Sequence, residues 1–134
     1  MEPAFVFPSD SSADSLTQIL DTGVMDQLLE LDDGRLDLLI EMFGLFQADT
    51  PGRIEAIQAH LAAGELSELA DIAHAVKGAA ATMGVPRLRA IAAELERGGR
   101  KGAFNQEPER LVQGMRTTYA EARTALEAFI ASRN

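Results

Sequence analysis

The sequence predicts an all-α protein, an antiparallel up-down four-helix bundle with short N-terminal capping helices. Three observations carry that expectation. Alanine and leucine dominate and aromatics make up only 5% of the residues, a composition that favours helix over sheet. No segment alternates apolar and polar residues over a useful length, so no strand is expected. Four long amphipathic units, joined by short breaks marked by glycine and proline, need one another to bury their apolar stripes. With 134 residues the chain suits one domain built on a single core.

Residues 1–13, rich in Pro, Ser and Asp, are expected as a flexible tail, and residues 14–134 as the single bundle domain. Asp14-Ser15 can cap a short helix through Leu20, with Leu16, Ile19 and Leu20 on one side. Asp21-Thr22 caps a second short helix to Leu31, which Asp32-Asp33-Gly34 breaks. Arg35 to Ala48 is strongly helical, with Leu36, Leu39, Ile40, Phe43 and Phe46 apolar. Thr50-Pro51 marks either a new start, with Thr50 as N-cap, or a kink. The helix resumes to Ala63, burying Ile54, Ile57 and Leu61, and Gly64 ends it.

Glu65 to Met83 reads as the next helix, closed by Gly84-Val85-Pro86. Its residues Leu69, Ile72, Ala73, Val76, Ala80 and Met83 form the buried stripe. Pro86 opens a helix that buries Leu88, Ile91, Ala92 and Leu95. Gly98-Gly99 and the residues up to Pro108 are expected as the longest internal loop. Leu111, Met115, Thr118, Ala122, Ala125 and Phe129 then recur at spacings of four and three, a seam for one long terminal helix.

Composition narrows the function classes. The absence of cysteine excludes disulfides, thiolate nucleophiles and cysteine zinc sites. No apolar run approaches the roughly 18 residues that span a bilayer. The N-terminal MEPAFVFPSDSS lacks the basic region and long apolar core of a signal peptide, so a cytoplasmic protein is expected. The net charge of -9 would repel nucleic acid and anionic membranes. That charge is uneven: residues 1–73 hold fifteen acids against two arginines, and residues 74–134 hold ten bases against six acids. The sign changes at His74, so the region after it could attract an acidic partner or simply form a solvated face.

His74 lies mid-helix, and helical spacing puts His74, Lys77, Gly78 and Ala81 on one stripe opposite the apolar one. Gly78 costs about 1 kcal/mol of helix stability relative to alanine, which suggests that something approaches His74 closely; tight helix packing is the structural alternative. The only other histidine, His60, gives no metal-ligand spacing, so no metal site is expected. Asp71, three residues before His74, could orient the imidazole or stand idle on the surface. There is no nucleophile elbow, no P-loop and no glycine-rich nucleotide loop. An exposed imidazole with no means of binding ATP suits a phosphoryl carrier rather than a kinase, with Lys77 offsetting the phosphoryl charge.

The run HAVKGAAATMG, with Leu69 and Ala73-His74 before it and Glu94-Leu95-Glu96 after it, resembles the histidine-containing phosphotransfer (HPt) domain. The upstream block FxxFxxDTPxRIxAIxxHLAAGE is also similar to that family, and the resemblance covers roughly residues 19–128. Many members carry serine and asparagine after the glycine; the corresponding residues here are Ala79, Ala80 and Thr82. The resemblance implies an up-down four-helix bundle with His74 as phosphoryl carrier, supported by Lys77 and Gly78. It implies a response-regulator receiver domain and a sensor histidine kinase as partners in a two-component phosphorelay. No cofactor is expected on this chain, because the divalent cation would belong to the receiver. Leu16, Ile19, Leu20, Ala81 and Arg87 are the expected docking residues, and a monomer is the expected state. The competing reading is a non-catalytic helical interaction module that uses the His74 face.

Overall fold

The computed structural model describes residues 18–133, which form five helices. These are α1 (Thr22–Leu31), α2 (Asp37–Ala63), α3 (Leu66–Met83), α4 (Pro86–Lys101) and α5 (Pro108–Arg133). Helices α2 and α4 each pack on both α3 and α5, so the four long helices close a ring around one core, and α1 lies across α2 and α3. Met25, Leu39, Ile57, Leu69, Val76, Leu88, Leu95, Leu111, Met115 and Leu126 are fully buried in that core. The Phe46 and Tyr119 rings, 5.3 Å apart and tilted by 52°, join α2 to α5. No helix among the described residues is long and apolar enough to cross a membrane.

Several boundaries fall where the capping chemistry places them. The Asp21 carboxylate accepts the Gly23 and Val24 backbone N–H groups and starts α1. This start also explains a difference from expectation. A helix through Leu20 is not formed in its described part, residues 18–20. The Asp21 backbone must be extended to cap α1, and its own N–H is spent on the Gly84 carbonyl at 2.7 Å. The expected tail and Leu16 lie outside the described residues. Helix α2 begins at Asp37 rather than Arg35, because Asp32 reaches forward to accept the Leu38 N–H at 3.0 Å while pairing with Arg35. The helix runs through Pro51 unbroken, with Thr50 fully buried in its interior and not acting as an N-cap.

The largest correction concerns Gly98 and Gly99. They do not open a loop: α4 continues through them to Lys101 and stops at Gly102, whose φ is 73°. Both glycines are buried because neighbouring groups occupy the space of a side chain. A Cβ on Gly98 would meet the Phe104 ring at 2.2 Å, and one on Gly99 would meet the Leu66 carbonyl oxygen at 2.9 Å. Gly99 thus permits close approach between α4 and α3, and Gly98 makes room for the Phe104 ring of the following loop. The α5 seam holds at Leu111, Met115, Thr118 and Ala122, but Leu126 replaces Ala125 as the fully buried residue near its end.

Gly84 has a backbone requirement of its own. Its φ of 70° lies in the left-handed region, and an added Cβ would meet Val24 at 3.0 Å. This single glycine ends α3, lets α1 seat against it, and turns the chain into Pro86, the first residue of α4. The turn thereby sets α4 beside α3 along the stretch that carries His74.

Candidate functional site

The apolar stripe of α3 decides which side chains face water. Leu69, Ala73, Val76, Ala80 and Met83 are buried, and Ile72 is half-buried against the core. His74 therefore projects outward, with its side chain 64% exposed. On α4, Leu95 is fully buried, and the next residue, Glu96, emerges at the edge of the α3–α4 contact with its side chain only 16% exposed.

Glu96 is the hub of the site. Its Oε2 lies 2.9 Å from His74 Nδ1, and its Oε1 lies 2.6 Å from Lys77 Nζ. Arg100, one turn further along α4, approaches the same Oε2 at 3.8 Å and donates to Asp71 Oδ1 at 2.8 Å. An ionised carboxylate can only accept, so the imidazole nitrogen facing it must carry the proton. In the neutral ring the lone pair then lies on Nε2. The Lys77 hydrogen bond holds the Glu96 carboxyl below the usual carboxylate range against the opposing effect of partial burial, and the His74 bond adds to it. The acceptor consequently stays ionised at neutral pH and is lost only on strong acidification.

The expected site residues are distributed unevenly. Lys77 shares the carboxylate of Glu96 with His74 rather than standing free. Gly78 is exposed, and a Cβ placed there would find nothing within 4 Å. That contradicts the tight-packing reading of Gly78 and leaves open space one turn from the imidazole. Ala81 is exposed on the same stripe. Ile19 borders Ala120, Thr124 and Ala128 of α5, and Leu20 packs half-buried on the core. Arg87 bonds Glu121 of α5 at 3.1 Å, so it clasps two helices together. Asp71 bonds Arg100 and is not the partner of the imidazole. His60 lies apart at the end of α2, bonded to Glu65.

Sequence reasoning missed Glu96 as a functional residue, along with Arg100. The available signal was modest: Glu94 and Glu96 are the only acids between Lys77 and Lys101. Glu94 bonds Arg97 on its own helix, which leaves Glu96 to the imidazole. The 22-residue separation from His74 is bridged only by the turn at Gly84. Among the described residues, no group of three or more His, Cys, Asp or Glu side chains could hold a metal ion.

Comparison with known proteins bears on the family and the fold. The model of the Hpt domain matches residues 41–131, which take in all of α3 and α4. The crystal structure of histidine-containing phosphotransfer protein B from Pseudomonas aeruginosa PAO1 is similar, with a TM-score of 0.75 and 28% identity. The match covers 84% of this chain and 94% of that one. No curated protein matches the sequence. The helical ring and the match across its four long helices lead to one assignment: this chain belongs to the Hpt domain family, the histidine-containing phosphotransfer domains.

Proposed function

We propose that the protein carries a phosphoryl group on His74 Nε2, exchanging it with an aspartate of a response-regulator receiver domain in a cytoplasmic phosphorelay fed by a sensor histidine kinase. One observation carries this reading: an exposed imidazole whose Nδ1 is bonded to an ionised, partly buried carboxylate, which leaves Nε2 as the nucleophilic nitrogen. The Nε2 lone pair attacks phosphorus of the receiver's acyl phosphate, the bond to the carboxylate oxygen breaks, and the aspartate leaves as its anion. Catalysis of such a transfer rests mainly on positioning and charge stabilisation. The divalent cation belongs to the receiver's acidic pocket. Residues 74–134 carry ten bases against six acids, which favours a negatively charged partner, so association should weaken with added salt.

Incubation with phosphorylated receivers of the same cell, or with a sensor kinase and ATP, tests this reading. Acid-labile, base-stable label on the protein is the expected result. Association with a receiver in the complete absence of label would instead favour a non-catalytic interaction module. Lys77→Ala should slow transfer about fivefold, the scale of an exposed ion pair worth up to about 1 kcal/mol, with the helical fold intact. Unchanged transfer rate and phosphohistidine lifetime would reduce Lys77 to a solubilising residue.

Gly78→Leu separates access from packing. Because the space is open, the variant should fold and gain about 0.8 kcal/mol of helix propensity. A leucine one turn from His74 should nevertheless block the receiver and abolish exchange. Transfer at the wild-type rate in a folded Gly78→Leu protein would show that the glycine does not serve access.

A further inference from the structure

Resting on the carrier reading, we propose that Asp71 competes with phosphorylated His74 for Arg100, and so limits how tightly the protein holds its phosphoryl group. The transfer chemistry leaves Asp71 without a role, yet its place is well defined. Gly99 of α4 is pressed against the Leu66 carbonyl and Ala70 of α3. Asp71 and Arg100 are the next residues on their helices, so the closest approach of α3 and α4 sets the two side chains opposite each other. Arg100 donates to Asp71 Oδ1 at 2.8 Å. Asp71 lies one turn before His74, and Arg100 lies one turn beyond Glu96, with its guanidinium 3.8 Å from Glu96 Oε2.

The two cations near the imidazole therefore differ. Lys77 is bonded to Glu96, which also holds the ring. Arg100 is tethered to a carboxylate that is 67% exposed, and is itself 47% exposed. An ion pair in water contributes little net stability and opens easily. A phosphoryl group on Nε2 brings a new negatively charged acceptor into this neighbourhood. The guanidinium fork suits phosphate oxygens, which it can bind through two parallel hydrogen bonds. Arg100 must leave Asp71 to bind them, and the broken bond offsets part of the gain. No covalent step is added: the phosphoryl group still passes between Nε2 and the receiver carboxylate. Asp71 acts as a positioning residue that moves the balance of that exchange toward the receiver.

The test measures the ratio of phosphorylated protein to phosphorylated receiver, reached from both directions before either hydrolyses appreciably. It uses the full chain and a receiver that exchanges with wild type. Both positions are exposed, so the substitutions should leave the fold intact. Asp71→Asn should shift the ratio about fivefold toward phosphohistidine, the scale of one exposed ion pair. Asp71→Glu, which keeps the charge, should stay near the wild-type ratio, and Arg100→Ala should shift it toward the receiver. The double variant Asp71→Asn/Arg100→Ala is decisive, because it should match Arg100→Ala alone. An Asp71→Asn shift that persists undiminished without Arg100 would overturn the proposal, showing that the carboxylate acts on the phosphoryl group through its own charge. An unchanged ratio in Asp71→Asn would overturn it as well, making the pair a surface clasp between α3 and α4. Either result leaves His74 as the labelled residue; failure of the carrier reading would appear separately, as wild-type protein that takes no label.

Discussion

Replacement of His74 by glutamine is expected to abolish phosphoryl acceptance completely while leaving the helical content and melting temperature almost unchanged. The side chain is 64% exposed and takes no part in the core, and substitutions at such positions usually stay within about 0.5 kcal/mol. Glutamine can still donate to Glu96, but its amide nitrogen has no available lone pair with which to attack phosphorus. His60→Gln is the matched control. It removes the other histidine, bonded to Glu65 at the far end of α2, and should be silent in both measurements. Label retained in the His74 variant would overturn the assignment of the carrier, and label lost in the His60 variant would move it.

Gly99→Leu should have the largest effect on stability, and for the opposite reason. An added Cβ already lies 2.9 Å from the Leu66 carbonyl oxygen and 3.0 Å from Ala70 Cβ. The first of these is backbone, so relief requires α4 to move away from α3. The gain in helix propensity, about 0.8 kcal/mol, is outweighed by overpacking of about 3 kcal/mol. Thermal unfolding should fall by several degrees. Because the α3–α4 contact also positions Glu96 against His74, transfer should fall alongside stability. A Gly99→Leu protein as stable as wild type would show that the helices can separate freely there. In contrast to Gly78, where nothing lies within 4 Å of an added Cβ, Gly99 is held by packing, so only substitution at Gly78 tests access without disturbing the helix contact.

The two glycine sites also show what the sequence can and cannot reveal. Helical periodicity placed the α3 stripe correctly because Leu69, Ala73, Val76, Ala80 and Met83 obey one local spacing. Capping chemistry at Asp21, Gly64, Gly84 and Pro86 is similarly local, and those boundaries were legible. Gly98-Gly99 reads as a break by the same local rules, yet the chain stays helical there. What decides the matter is that Leu66 and Ala70 of the neighbouring helix, and Phe104 of the loop that follows, fill the space a side chain would need. Pro51 shows the same override: the tertiary packing of Phe46, Thr50 and Ile54 keeps α2 continuous through a residue that removes a helical hydrogen bond.

The site divides along the same line. His74, Lys77 and Gly78 lie within five residues and share one helical face, so sequence brings them together. Glu96 and Arg100 reach them from the neighbouring helix. Helical spacing assigns Glu96 only to an edge of α4, and which residue that edge meets depends on how α4 seats on α3. Asp71 shows the reverse case. Its spacing from His74 allowed a contact with the imidazole, but Arg100 takes the carboxylate instead.

Mapping the phosphoryl group on the wild-type protein tests the central assignment most directly. After exchange with a phosphorylated receiver, the protein would be digested at alkaline pH and the labelled peptide sequenced by electron-transfer fragmentation. Phosphorus NMR of the intact protein would then identify the nitrogen. Acid-labile, base-stable phosphate on the peptide containing His74, bonded at Nε2, is the expected result. Phosphate on His60 or any other residue, or attached through Nδ1 where Glu96 sits, would contradict it.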